Sequence, residues 1–194
     1  MRQRQNPTRR IRALLCLTMT VLSPVAAAQL SEDVDRRTYT VAARADESLK
    51  QALNRATPIQ DHGSLYHGYT RWFIRWRFNT TAASGGCVIR NVTTHLDVTI
   101  TLPTPSRETL ARFREASVYL QALDAHEEGH RRIARQAAEA IDAGIGALPP
   151  QGDCTGVARA ANALGHTLLE QARETERQYD ANTSHGCTQG ACLP

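Results

Sequence analysis

One stretch between residues 119 and 144 limits the possible folds more than any other. Its apolar residues and histidines recur at the three- and four-residue spacing of a single α-helix face. That face carries Tyr119, Leu123, His126, His130, Ile133, Ala137, Ile141 and Gly144. The pattern predicts a long helix packed along this stripe against the rest of the domain, with both histidines directed inward.

Within this predicted helix, residues 126–130 read His-Glu-Glu-Gly-His and fit the pattern H-E-x-x-H. His126 and His130 lie four residues apart on one face, so they can bind one Zn²⁺ ion. Glu127 lies about 100° further round the helix, where it can take a proton from a zinc-bound water. The competing interpretations are a solvated charged face and a pair of buried structural histidines. Gly129 costs a helix interior about 1 kcal/mol, which predicts a close approach by another backbone.

The first 28 residues have the composition of a secretory signal peptide. Five arginines and no acid precede the apolar run Ala13–Leu22, and three alanines follow at 26–28. The run is too short to span a bilayer, so we expect cleavage after Ala28 and no stable membrane anchor afterwards. The prediction is a signal peptide at 1–28 and a single domain at 29–194, exported to the periplasm or the extracellular space.

Removing this leader changes the charge balance of the chain. The whole sequence has 23 basic and 19 acidic residues, and five of the basic ones lie in the leader. The remaining 166 residues therefore carry 18 basic and 19 acidic side chains, a net charge of −1. This balance argues against nucleic acid and anionic membranes as partners.

Four cysteines remain after the leader: Cys87, Cys154, Cys187 and Cys192. An even number in an exported chain favours disulfides, and three pairings are possible. We favour Cys87–Cys154, which ties a strand to a helix start, and Cys187–Cys192, which closes a short loop. A cysteine metal site is the alternative, but the spacings are not typical of one.

Two alternating stretches predict an antiparallel β-hairpin around a turn at 80–86. The apolar face of the first carries Tyr66, Gly68, Thr70, Trp72, Ile74, Trp76 and Phe78, with arginines on its other face. The apolar face of the second carries Val88, Val92, Leu96, Val98, Ile100 and Leu102. A further short strand is predicted over residues 39–41.

Helices are predicted on both sides of the hairpin. Asp46 can cap a helix that ends near Ala56. Pro103 ends the predicted sheet, and Thr104 can cap a helix that breaks near residues 115–117 before the histidine helix.

A last long helix begins at Asp153 or Thr155, after a turn at 148–152. Its inward stripe carries Val157, Ala161, Leu164, Leu168, Ala172, Thr175 and Tyr179. A short connection between long helices favours an antiparallel pair. The sequence therefore predicts a single α+β domain.

A catalytic zinc ion needs a third protein ligand. Glu170, Glu174 and His166 lie off the inward stripe of the last helix, so we expect all three to be solvated. The segment from Tyr179 to His185, which we expect to follow the helix, collects several groups that suit a metal site.

At this point the chain resembles a family of predicted secreted zinc-dependent proteases. The family has an H-E-x-G-H helix and a downstream Y-D-x-x-T-x-H-G motif, and this sequence matches both at residues 126–130 and 179–186. The resemblance covers nearly all of the chain after the leader. It implies a zincin-like fold, in which a small, mostly antiparallel sheet packs on the long helices.

The second motif makes His185 the expected third zinc ligand, with Asp180 as the alternative. If His185 is the ligand, Asp180 can orient a histidine from outside the coordination sphere. Tyr179 can donate to the oxyanion of a tetrahedral intermediate, or it is a core tyrosine with a satisfied hydroxyl.

The predicted function is that of an exported zinc metallopeptidase acting on a peptide or protein substrate. Glu127 is the general base, and the edge of the sheet can hold an extended peptide by strand addition. The alternatives are a non-catalytic exported zinc-binding protein and a peptide-binding protein that keeps the fold.

Overall fold

The computed structural model describes residues 29–61 and 63–194, so the predicted signal peptide at 1–28 lies outside the described residues. The strands are β1 (Gln29–Val41), β2 (Ile59–Asp61), β3 (Ser64–Tyr66), β4 (Tyr69–Ala83) and β5 (Gly86–Pro105). The helices are α1 (Leu49–Ala56), α2 (Arg107–Arg112), α3 (Ala116–Gly146) and α4 (Cys154–Thr183), followed by a short 3₁₀ helix at Cys187–Gln189. The protein is an α+β structure, as predicted.

The main sheet has three strands in the order β1-β5-β4. β4 and β5 form the predicted antiparallel hairpin, but β1 runs parallel to β5 over its whole length. The sheet is therefore mixed, and the prediction that it is mostly antiparallel is wrong.

The strand predicted at residues 39–41 begins ten residues earlier, at Gln29. Its polar composition hides it, because the side chains that face α3 are charged. Glu32 pairs with Arg131 at 2.7 Å and with Arg135 at 3.0 Å. Arg36 pairs with two acidic residues of α3. Ion pairs here take the place of the apolar alternation that marks an ordinary strand.

The hairpin buries the predicted face only in part. Leu96, Val98 and Ile100 are buried as expected, but nearer the turn Cys87 and Ile89 are buried instead of Val88. An extra residue of β5 shifts the register between Arg77 and Asn79, and Asn91 there has φ 51°. Such a bulge exchanges the two faces of the strand beyond it.

The helix boundaries differ from the predictions at three places. α1 starts after Ser48, whose side chain accepts a hydrogen bond from the Gln51 backbone, and not after Asp46. β5 continues to Pro105, so α2 starts after Ser106, whose side chain accepts a hydrogen bond from the Thr109 backbone, and not after Thr104. The predicted break before α3 is present. Asp153 caps α4 as predicted, but α4 runs on to Thr183, so Tyr179 and Asp180 belong to its last turns.

Two apolar clusters hold these elements together. One lies where the sheet meets α3 and α4, and the other packs α1 against the start of α3. α3 and α4 also touch directly: Leu164 lies beside Gly144, and Tyr179 beside Gly129. The disulfides Cys87–Cys154 and Cys187–Cys192 are both present, which confirms the predicted pairing.

Among the described residues, no helix is both long enough and apolar enough to cross a membrane.

Candidate metal centre

The H-E-x-x-H segment lies in the middle of α3, on the face that packs inward. His126 and Glu127 are each 4% exposed and His130 is 9% exposed. The interpretation of this segment as a solvated charged face is therefore wrong. The apolar stripe along α3 turns these side chains toward α4 and the start of β4.

Three donor atoms converge at this point. The Nε2 atoms of His126 and His130 are 3.3 Å apart, and Oδ1 of Asp180 lies 3.3 Å from the first and 3.1 Å from the second. A tetrahedral zinc ion with bonds of about 2.0–2.1 Å holds its ligand atoms about 3.3–3.4 Å apart. The triangle thus has the size of one face of a zinc tetrahedron. Two imidazoles and a carboxylate also form a donor set that suits zinc.

The other ring nitrogen of each histidine has its own partner. Nδ1 of His126 lies 2.9 Å from Oε1 of Gln189, and Nδ1 of His130 lies 3.3 Å from Oε1 of Glu176. Glu176 is itself fixed by the indole N–H of Trp72, which donates to it at 2.7 Å. An acceptor on Nδ1 fixes the ring orientation and, when Nδ1 carries the proton, leaves Nε2 available to bind a metal ion.

Glu127 lies beside the triangle and is held from the β4 side. Its Oε2 accepts a hydrogen bond from the Thr70 hydroxyl at 2.8 Å, and Thr70 is buried. A Cβ at Gly68 would lie 2.6 Å from Oε1 of Glu127, so the glycine leaves room for the carboxylate. Burial raises the pKa of the Glu127 carboxyl above its ordinary value, while the Thr70 hydrogen bond and the nearby histidines act in the opposite direction.

The residues of the donor triangle carry charge that a cation could replace. Burial disfavours a charged His130, but hydrogen bonds with Asp180 and Glu176 outweigh this and raise its pKa to about 9. Burial likewise disfavours ionised Asp180, but hydrogen bonding with the His126 and His130 rings outweighs it and holds the Asp180 pKa below its ordinary value. A carboxylate and a protonated imidazole thus face each other where a metal ion would be held.

Tyr179 packs against the back of the first histidine. Its ring stacks on the His126 ring with centroids 5.0 Å apart, and its hydroxyl donates to the His126 carbonyl oxygen at 3.2 Å. A Cβ at Gly129 would collide with the Tyr179 hydroxyl. The close approach predicted at Gly129 is thus present, but it comes from this side chain and not from a backbone.

His185 lies next to the triangle and is not one of its corners. Its Nδ1 is 3.7 Å from Oδ1 of Asp180, its side chain is 58% exposed, and its ring meets the Tyr66 ring edge-on. Ser184, His185 and Gly186 all have left-handed backbone angles, which turn the chain sharply after α4. The role of His185 as third ligand stays a prediction, whereas the alternative, Asp180, occupies the third corner.

The donor triangle and Glu127 open into a cleft of about 980 Å³. One wall is the start of β4, the opposite wall is the end of α4, and the β2–β3 hairpin borders its mouth. The cleft has the size of a ligand site, and polar and charged side chains line it together with apolar ones.

The sequence patterns missed three residues of this site: Thr70, Glu176 and Gln189. The spacing of Glu176 could have placed it, because it lies four residues after Ala172 and three before Tyr179, two members of the predicted inward stripe. In the structure, residues 172, 176, 179, 180 and 183 are buried or half-buried. Nothing in the sequence pattern marks Gln189. Glu170 and Glu174 are exposed and pair with arginines one turn along α4, as expected for solvated residues.

Comparisons with known proteins identify a family and nothing closer. Neither the curated proteins nor the solved structures contain a match to this chain. A family profile described as "Bacterial protein of unknown function (DUF922)" matches residues 36–186, which include both motifs and the whole donor triangle. The chain belongs to this bacterial family.

Proposed function

We propose that this protein is an exported zinc-dependent metallopeptidase whose metal ligands are His126, His130 and Asp180. The observation that carries the proposal is the donor triangle, which has the size and chemistry of a zinc site and stands beside a buried carboxylate at the end of a cleft. The proposal takes Asp180 as third ligand because its Oδ1 is within 3.3 Å of both Nε2 atoms. His185 then acts beside Asp180, at the mouth of the site.

Zinc bound here would act as a Lewis acid and would lower the pKa of an attacking water toward neutrality. Glu127 is the general base that takes the proton from that water. The Thr70 hydroxyl fixes one carboxylate oxygen of Glu127, which leaves the other free to accept a proton. Tyr179 already donates to a backbone carbonyl, so we assign it the positioning of His126 and not the oxyanion role that the sequence suggested.

An extended peptide is the substrate that the cleft accommodates best. β4 is an edge strand of the sheet, and its first residues, Tyr69, Thr70 and Arg71, line the cleft. Unpaired backbone groups on an edge can bind a peptide by strand addition, which would carry a peptide carbonyl past Glu127. Exposed Tyr69 and Leu65 offer apolar contacts at the same place.

The fold that goes with this function is zincin-like. Its support is the motif-bearing helix α3 packed on a small sheet, together with a second long helix that provides a ligand. The contacts Gly144–Leu164 and Gly129–Tyr179 fit an antiparallel pair of helices, because the earlier residue of α3 contacts the later residue of α4. Export to the periplasm or the extracellular space agrees with two disulfides and with the predicted signal peptide.

Metal analysis combined with a broad peptide-library cleavage assay tests the proposal. The wild-type protein and the variants Glu127→Gln and Glu170→Gln should all contain about one zinc per chain, since neither glutamate is a ligand. Hydrolysis should fall by a factor of about 10² or more in Glu127→Gln only. Glu170→Gln is the matched control, because it removes an exposed carboxylate from the helix that supplies Asp180.

Other outcomes select the alternatives. Stoichiometric zinc without cleavage of any peptide would make this a non-catalytic zinc-binding protein. Peptide affinity that is unchanged by chelators, without bound metal, would make it a peptide-binding protein that keeps the fold.

A further inference from the structure

The segment that follows α4 folds back over the metal centre. The left-handed residues Ser184, His185 and Gly186 reverse the chain, and residues 187–191 return toward α3. The backbone of this loop is well bonded, since Gln189 N donates to Gly186 O at 2.9 Å and Ala191 N donates to the same oxygen at 3.0 Å. The family match ends at residue 186, so residues 187–191 lie outside the matched region.

Gln189 places both ends of its side-chain amide in the centre. Its Oε1 lies 2.9 Å from Nδ1 of His126, and its Nε2 donates to the Tyr179 hydroxyl at 3.1 Å. The Tyr179 hydroxyl in turn donates to the backbone oxygen of His126. The amide orientation is consistent, because an oxygen facing an N–H and an NH₂ facing a hydroxyl both make good hydrogen bonds. His126 is thus held by its ring, its stacked face and its carbonyl.

This arrangement selects one tautomer of His126. If Nδ1 carries the proton and donates to Gln189, Nε2 keeps its lone pair and faces the donor triangle. The equivalent partner of His130 is the Glu176 carboxylate. Because the partner of His126 is the neutral amide of Gln189, it adds no further negative charge beside Asp180, Glu127 and Glu176.

The loop that carries Gln189 is anchored on both sides. The disulfide Cys187–Cys192 closes it, and Ala191 is buried in the cluster around α1. Gly186 brings the backbone so close to the His126 ring that a Cβ there would lie 3.0 Å from Cγ. The loop therefore leaves Gln189 little freedom to move away from Nδ1.

We propose that Gln189 is the positioning residue for the metal ligand His126, and that the loop closed by Cys187–Cys192 holds it there. Zinc affinity then depends on an amide and a disulfide that do not touch the metal. This inference rests on the proposed zinc centre, but the state of the His126 ring can be measured without metal.

The first test compares Gln189→Leu with Gln189→Glu. Leucine keeps the size but removes the acceptor, so zinc affinity, measured by chelator competition, should fall by about 10–100-fold. Glutamate keeps an acceptor for Nδ1–H, so its variant should bind zinc within about threefold of wild type or more tightly. Gln178→Leu is the matched control: Gln178 is an exposed glutamine of α4 that bonds Glu174, and its loss should change nothing. Equal zinc affinity in wild type and Gln189→Leu overturns the proposal.

The second test reads the tautomer in the metal-free protein. Long-range ¹H–¹⁵N spectra of the neutral His126 ring should show the Nδ1–H form in wild type and in Gln189→Glu, and a mixture in Gln189→Leu. The same tautomer in all three overturns the role of Gln189. This reading is independent of the proposed function, which fails separately if the wild-type protein binds no zinc.

The third test addresses the loop. The double variant Cys187→Ser/Cys192→Ser should lose zinc affinity in the same direction as Gln189→Leu, and adding Gln189→Leu to it should cost less than in the wild type. Far-ultraviolet circular dichroism and the unfolding midpoint check that each variant is folded. Full affinity in the folded double variant, or fully additive losses, overturns the role of the disulfide.

Discussion

Replacing Gly129 with alanine tests how α3 and α4 pack at the candidate metal centre. A Cβ at residue 129 would lie 2.7 Å from Cε1 of Tyr179 and would overlap its hydroxyl more severely. Ordinary contacts of a Cβ are about 3.4–4 Å, so the tyrosine ring has to move by roughly 1 Å. That shift breaks the hydrogen bond to the His126 carbonyl oxygen, which is already 3.2 Å long.

The expected change in the free energy of unfolding combines one stabilising and two destabilising contributions. Alanine in place of glycine stabilises a helix interior by about 1 kcal/mol. Overpacking costs about 1–3 kcal/mol, and the lost hydrogen bond costs about 1 kcal/mol. Gly129→Ala should therefore destabilise the metal-free protein by about 1–3 kcal/mol, which lowers Tm by about 2–4 °C per kcal/mol in a chain of this size.

The assay is urea unfolding in the presence of a chelator, so that zinc does not contribute to the free energy of unfolding. With Tyr179→Ala as background, the collision is gone and Gly129→Ala should stabilise by up to about 1 kcal/mol. Gly144→Ala is the control on the same helix, since its nearest neighbour is the flexible tip of Leu164 at 3.2 Å. This packing of Tyr179 on α3 would be refuted if Gly129→Ala were as stable as the wild type and changed the free energy of unfolding equally with and without Tyr179→Ala.

Three further predictions concern the metal and the disulfide. Asp180→Asn should nearly abolish zinc binding while His185→Ala weakens it much less, and zinc titrations with the reverse order would restore His185 as third ligand. The His130 pKa of about 9 means that the ring is protonated at pH 7 in the metal-free protein, so zinc binding should release at least about one proton. Zinc affinity should also increase as the pH rises toward 9. Calorimetry in buffers of different ionisation enthalpy measures the proton release, and zinc binding without proton release would contradict this prediction. Replacing Cys87 and Cys154 by alanine opens a loop of sequence separation 67 and should cost about 4 kcal/mol in urea unfolding, with an unchanged midpoint as the contrary result.

The sequence predicts correctly those helices and strands whose apolar residues recur at the same positions that the structure buries. The stripe of α3 and the alternation of β4 up to residue 80 are of this kind, since the predicted face of each is buried or half-buried. β1 is of the other kind, because Glu32 and Arg36 on its α3 side are charged and pair with residues of α3. A pattern of hydrophobicity cannot report a strand whose inner face is built from ion pairs.

The site divides in the same way. Helix periodicity was enough to place His126 and His130 on one face and to predict Glu170 as solvated. The last turns of α4 were harder, because Asp180 is both helical and a member of the triangle, whereas the sequence suggested that the helix had already ended. Gln189 depends on a chain reversal through left-handed residues, and such a path is not encoded in any periodic pattern.

The geometry also explains why the two motifs of this chain have the residues they have. Gly129 of the first motif has no side chain because Tyr179 of the second lies where a Cβ would be. Asp180 is the third corner of the triangle. It follows Tyr179 directly in α4, so the packing of Tyr179 on Gly129 also fixes where Asp180 lies. Gly186, the last residue of the second motif, brings the backbone against the His126 ring and starts the loop toward the candidate metal centre. The two motifs therefore form one contact between α3 and the end of α4. A substitution in either motif is expected to alter the position of His126.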